Sequence, residues 1–179
     1  MNRLDILKNV NTPSYVVDER KLRENLEVLQ AVQDKTGCHI LLAQKAFSMF
    51  YFYPMIGRYI SGATASGIFE AKLAHEFMPG KENHVFSPAY KEKDFAEIVQ
   101  ICDHIIFNSF SQWKKYRDIA LKAGVECGIR INPQCSTQEG HAIYDPCAPG
   151  SRLGVTLDNF EPDNLDGLAG LHFHTLCEQ

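Results

Sequence analysis

Lys45 directly follows the apolar run HILLAQ that begins at His39, which places its ε-amine at the carboxyl end of a strand. A lysine becomes a nucleophile only after losing its proton, and a partly desolvated strand end beside other cations favours the neutral amine. The plain alternative is a surface lysine, since lysine is the most routinely exposed side chain. His172 and His174 alternate in GLHFHTL, so in a strand both rings share one side and Phe173 takes the other. Such imidazoles can stack on a planar ring or ligate a metal; a core histidine with both nitrogens satisfied is the alternative. Arg130, in IRINP, falls on a strand, where a buried guanidinium must find a cofactor phenolate, a phosphate or a carboxylate. A structural ion pair would serve it equally. Ser66 and Gly67 open a helical pattern, so their amides and hydroxyl can meet an anion at a helix amino terminus or simply cap it.

The elements that must position these side chains are legible as alternating strands and helices. Apolar runs of strand character begin at His39 (HILLAQ), Tyr59 (YISGATA), His84 (HVFSP), His104 (HIIFN), Cys127 (CGIRINP) and Gly170 (GLHFHTL). Between them, residues 19–35 follow the capping residue Asp18, place Leu22, Leu26, Leu29 and Val32 on one face and stop at Gly37. Residues 47–58 are strongly aromatic, 68–77 form an amphipathic stretch stopped by Pro79 and Gly80, and 91–102 and 112–123 complete the helical set. This spacing suits right-handed parallel crossovers, so the sequence predicts an α/β fold with a parallel sheet and outer helices. Strands rich in Ile, Val, Leu and Ala on both sides of the pleat predict a sheet buried on both faces.

Six strands fall short of a closed (β/α)8 barrel, and the last apolar run ends at the final residues with no helix to cover it. The expectation is an incomplete parallel TIM-type barrel, one partial domain over residues 1–179 of a longer protein. Residues 134–150, with Gly140, Pro146 and Pro149, form the one irregular insertion, after a strand's carboxyl end where barrel enzymes set substrate loops.

Composition excludes several classes. No apolar stretch is long enough to span a bilayer, and the first residues lack the apolar core of a signal peptide, so the expected compartment is the cytoplasm. With 18 Lys and Arg against 22 Asp and Glu and no basic run, nucleic acid is not an expected partner. The six cysteines show no CxxC and no regular spacing, which favours reduced thiols over a zinc ribbon or a disulfide framework; Cys135, His141 and Cys147 are the one conceivable metal set, without an anchoring motif.

LLAQKAFS resembles the cofactor-lysine segment of the alanine-racemase-like, fold type III pyridoxal-phosphate decarboxylases. TPSYVVDERKLRENL is similar to their opening segment, ATASGIFEAKLA to the second strand and helix, IRINP to the fifth strand, SRLGV to the motif after the variable loop, and GLHFHTLCEQ to the strand whose histidine stacks on the cofactor. The likeness runs over nearly the whole chain. Diaminopimelate decarboxylases usually continue the histidine strand as HxHxGSQ, whereas here Leu176 and Cys177 stand where Gly and Ser would fall, so the serine hydroxyl that helps hold the phosphate is absent. AFSMFYFYPMI and HAIYDPCAPGSRLGV resemble instead the branch acting on carboxylated polyamines.

This resemblance implies pyridoxal 5'-phosphate as cofactor, carried covalently by Lys45, with His174 stacked on its ring, Arg130 near it, Ser66 among the cofactor-binding residues and no metal. It implies loss of the α-carboxylate from a carboxylated polyamine, and a homodimer with active sites built across the interface. It also implies that a glycine-rich phosphate loop, an acid on the pyridine nitrogen and a catalytic cysteine come from later sequence, and that residues 1–15 contact a carboxyl-terminal β domain. Two other classes stay open: a single-domain pyridoxal-phosphate-binding homeostasis protein with the same barrel and lysine, and a metal-dependent barrel hydrolase ligating through His172 and His174. The hydrolase lacks an ExxH, a DxD or a later carboxylate to complete its site.

Overall fold

The computed structural model describes residues 8–139 and 142–175. His141, Leu176 and Cys177 lie outside the described residues, as does the first part of the opening segment. Asp18 caps helix α1 (Glu19–Thr36) by accepting from the Arg20 and Lys21 amides, and Gly37, at φ 73, ends it by donating to the Gln33 carbonyl. Of the expected apolar stripe only Leu26 is buried; Leu29 and Val32 are exposed. The helix is instead pinned by Gln33, whose carboxamide accepts from the Ile40 amide and from both the amide and hydroxyl of Ser61, and donates to the Tyr59 carbonyl.

Six strands follow: β1 (Leu41–Ala43), β2 (Gly62–Ala65), β3 (Glu82–Phe86), β4 (His104–Phe107), β5 (Glu126–Arg130) and β6 (Gly170–His172). They form one sheet in chain order, every neighbour parallel. Helices α3 (Ile68–Phe77), α4 (Glu92–Ile101) and α5 (Phe110–Lys122) cover one face, giving a partial TIM-type barrel of the expected class. The α5 start lies two residues earlier than the pattern suggested, because Ser109 accepts from the Gln112 amide and so caps it. The aromatic segment 47–58 is not one helix but a 3-10 turn (Phe50–Phe52) and a single turn, α2 (Tyr53–Ile56). Pro54 is tolerated only in a first turn, so the α-helix cannot extend upstream. Between β5 and β6 the described residues make only short 3-10 turns, and Val155 pairs beside Ile131 before the chain returns.

The helix-facing side holds the main core: Val85, Phe95, Ile98, Ile105, Phe107, Trp113, Cys127 and Ile129 are all essentially sealed from solvent. Burial on both faces, expected from composition, holds for β5 but not for β3 and β4. There Asn83, Val85, Ile105 and Phe107 are buried while Glu82, His84, Phe86, His104 and Ile106 are half-buried. The reason is that β1 and β6 are edges that do not pair with each other, so the inner face is open to solvent.

The β2–β3 seam requires a residue without a side chain. A Cβ on Gly62 would overlap the Glu82 backbone, 2.7 Å from its carbonyl carbon, whereas a Cβ on Gly170 would meet open space. Gly62→Ala is expected to lower the urea midpoint by the equivalent of about 2 kcal/mol with an unchanged slope, and Gly170→Ala by under about 0.5 kcal/mol.

Candidate active site

Arg130 ends β5 and His172 ends β6, and the parallel register sets them side by side. Gly128, Arg130, Gly170 and His172 alternate onto the inner face, leaving Cys127 and Ile129 to the helix layer. Arg130 is only 4% exposed. Its Cζ lies 4.8 Å over the Phe86 ring, and Nη2 donates to the His174 carbonyl at 3.4 Å. Its Nε is buried without a hydrogen-bond partner, and no described carboxylate forms an ion pair with it. Desolvation pulls the guanidinium pKa down, opposed by the neighbouring Cys147 thiol. A buried cation so poorly matched by its own chain is a receptor for an anion or another acceptor.

Phe86 packs edge-on to the His172 ring, with centroids 5.2 Å apart. Burial above all pushes the His172 pKa down, to about 4, with the charges of Arg130 and His174 adding to it. His174 follows the end of β6 and is exposed, and it is the His174 carbonyl that Arg130 holds. Burial, then Arg130, then Lys45 lower the His174 pKa, so the Lys45 charge reaches across the open mouth to β6. Lys45 itself sits in a turn just past β1, where the Ala46 and Phe47 amides both bond the Ala43 carbonyl, and it is exposed rather than desolvated. The chain thus brings Lys45, Arg130, His172 and His174 to one rim, as the strand positions required.

Ser66 stands apart from this group. It is exposed at the end of β2, and its amide donates to Glu70 Oε2 at 2.6 Å, so the anion expected at this helix start is supplied by the chain itself. Two contributors were missed. Phe86 shares the inner face with Arg130, a signal present in the strand register, and buried Cys147 is delivered by the long loop, where no periodicity marks it. Burial and Asp145 raise the Cys147 pKa. The five described cysteines are free thiols.

A parallel sheet with functional side chains at the carboxyl rim is the layout of TIM-barrel enzymes generally. The fold is shared with a diaminopimelate decarboxylase from M. jannaschi at TM-score 0.71 and 18% identity, over 97% of this chain and 44% of that one. No family model matches the chain. Over 172 residues it is 41% identical to carboxynorspermidine/carboxyspermidine decarboxylase of Campylobacter jejuni, covering 96% of this chain and 44% of the relative. Carboxyaminopropylagmatine decarboxylase of Synechocystis is 37% identical over the same coverage. The crystal structure of carboxynorspermidine decarboxylase of Campylobacter jejuni, complexed with norspermidine, matches at TM-score 0.83 and 39% identity, over 95% of this chain and 42% of that one. The chain therefore matches an amino-terminal portion of carboxynorspermidine decarboxylases and spans less than half of their length.

Two outcomes follow from the strain at this rim. Arg130→Met, which removes a buried and poorly matched cation, is expected to stabilise the cofactor-free protein by about 1 kcal/mol in urea unfolding. A loss of stability would show that the Phe86 and His174 contacts outweigh the desolvation. His172 is neutral when folded down to about pH 4, while its unfolded value is 6.5. Between these values the unfolded chain takes up the proton first, so stability falls as pH drops from 6.5 towards 4. In His172→Phe the urea midpoint should fall less steeply with acidification than in the wild type.

Proposed function

We propose that this chain is the cofactor-holding amino-terminal part of a pyridoxal 5'-phosphate-dependent carboxy-lyase that removes the α-carboxylate of carboxynorspermidine, and of carboxyspermidine, in polyamine biosynthesis. Arg130 carries the reading: a guanidinium sealed from solvent, with an unpartnered Nε, on the same rim as Lys45. Pyridoxal phosphate is anionic and planar, and it fits a rim of two cations, uncharged imidazoles and an aromatic edge. Lys45 would hold its aldehyde carbon, Arg130 one of its oxygens and His174 a ring face. Ser66 would contribute only if its amide were released from Glu70. When bound, the cofactor supplies the electron sink that decarboxylation needs.

The chain's own side chains then set the approach of the substrate. Arg130 stays cationic when Lys45 is taken up by the cofactor, so it would draw in the substrate's carboxylate and repel its free amino groups. His172 stays uncharged at neutral pH because burial pushes its pKa down to about 4, so it adds no second positive charge beside Arg130. The same reading makes the protein a homodimer of the cytoplasm that engages neither nucleic acid nor a membrane. Its net charge of −4 suits the part about nucleic acid, and among the described residues no helix is long and apolar enough to cross a bilayer.

The relative that acts on carboxyaminopropylagmatine is nearly as similar, so that carboxylated polyamine is the second candidate substrate. The test is a chimera in which this chain replaces the matching segment of the Campylobacter jejuni enzyme. It should release carbon dioxide from carboxynorspermidine and carboxyspermidine faster than from carboxyaminopropylagmatine, and not from diaminopimelate. Lys45→Ala in the chimera should cut that rate at least about 1,000-fold. A folded chimera that prefers diaminopimelate, or is indifferent to loss of Lys45, contradicts the proposal.

A further inference from the structure

The strand alternation that collects Lys45, Arg130 and His172 at one rim collects a second set of titratable side chains at the other. Glu82 opens β3 and His84 follows on the same face, opposite the buried Asn83 and Val85. His104 opens β4, and the parallel register pairs it directly with His84. The two rings stack with centroids 3.9 Å apart and planes 26° from parallel. One donor atom from each of Glu82, His84 and His104 lies within 4.8 Å of the other two.

The contacts around the three fix how their donor atoms are presented. Glu82 Oε2 lies 2.8 Å from His84 Nε2, and its other oxygen is paired with His39 Nδ1. His104 Nδ1 lies 3.3 Å from Glu126 Oε2. An imidazole whose Nδ1 faces a carboxylate can offer Nε2 to an ion, the arrangement metal-bound imidazoles usually show. Glu82, Asp103, His104 and Glu126 also line a cavity of about 600 Å³ at the amino-terminal ends of the strands, which gives an ion a route in.

We propose that Glu82, His84 and His104 bind one divalent transition-metal ion of the zinc class, with solvent from the cavity completing its coordination. Two imidazoles and a carboxylate suit such an ion in ligand type and number. It would fasten the starts of β3 and β4 together, away from the Lys45 rim, so its fate is independent of the decarboxylase reading. The competing arrangement is a metal-free chain in which His39 and His84 hydrogen-bond Glu82, His84 stacks on His104, and His104 faces Glu126.

Cobalt(II) alone separates the two. The purified protein, stripped with chelator, equilibrated with cobalt and desalted, should retain about one ion per chain with visible ligand-field bands. Folded His84→Gln and His104→Gln, checked by circular dichroism, should retain less than about a tenth of that, while Lys45→Ala and His172→Phe retain all of it. Should a variant fail to fold, X-ray absorption of the zinc-loaded wild type decides, with two imidazole nitrogens at about 2.0 Å expected. No ion retained by the wild type, full retention by folded His84→Gln, or loss on His172→Phe would overturn the site.

Discussion

Everything in this molecule depends on one constraint, the unbroken parallel pairing of each strand to the next in chain order. Parallel pairing sends every strand's carboxyl end to the same rim, and the pleat sends alternate side chains to opposite faces. Those two rules turn a linear sequence into a helix-facing core, an inner face and two chemically different rims. The close approach at Gly62, where β2 runs against the Glu82 backbone, shows how little slack the pairing leaves.

The rims differ in charge because of where residues fall within their strands. Arg130 and His172 are last in β5 and β6 and Lys45 lies just past β1, whereas Glu82, His104 and Glu126 are first in β3, β4 and β5. One rim is therefore cationic, with an arginine that its own chain leaves short of an acceptor, and the other is a histidine–carboxylate chain in which every ring has a partner. The first invites an anion from outside. The second already sets its carboxylates against imidazoles. A guanidinium buried without an acceptor for its Nε costs stability, a cost often found where a scaffold carries a binding site.

Much of this was legible in the sequence, and the misses share a physical cause. Caps and breakers such as Asp18, Gly37 and Pro79 are local signals, so strand order and most helix positions could be read directly. Lys45 and Arg130 could be placed because a strand end is also a local feature. The His84–His104 pair could not, since it depends on register between two strands that the sequence does not state. Nor could the pinning of α1 by Gln33, or the exposure of Lys45, which depends on the turn after Ala43 rather than on its neighbours in sequence. Nor could the sequence state that Glu70, one helical turn on, accepts from the Ser66 amide, a contact visible only once the helix start is fixed.

The proposed function requires the cationic rim to hold an aldehyde-bearing anion at one particular amine. Incubation with pyridoxal phosphate, borohydride reduction and peptide mass analysis tests this requirement. A single modified peptide bearing the adduct on Lys45 is expected. An adduct spread over surface lysines, or fixed on Lys81 at the far rim, would contradict it.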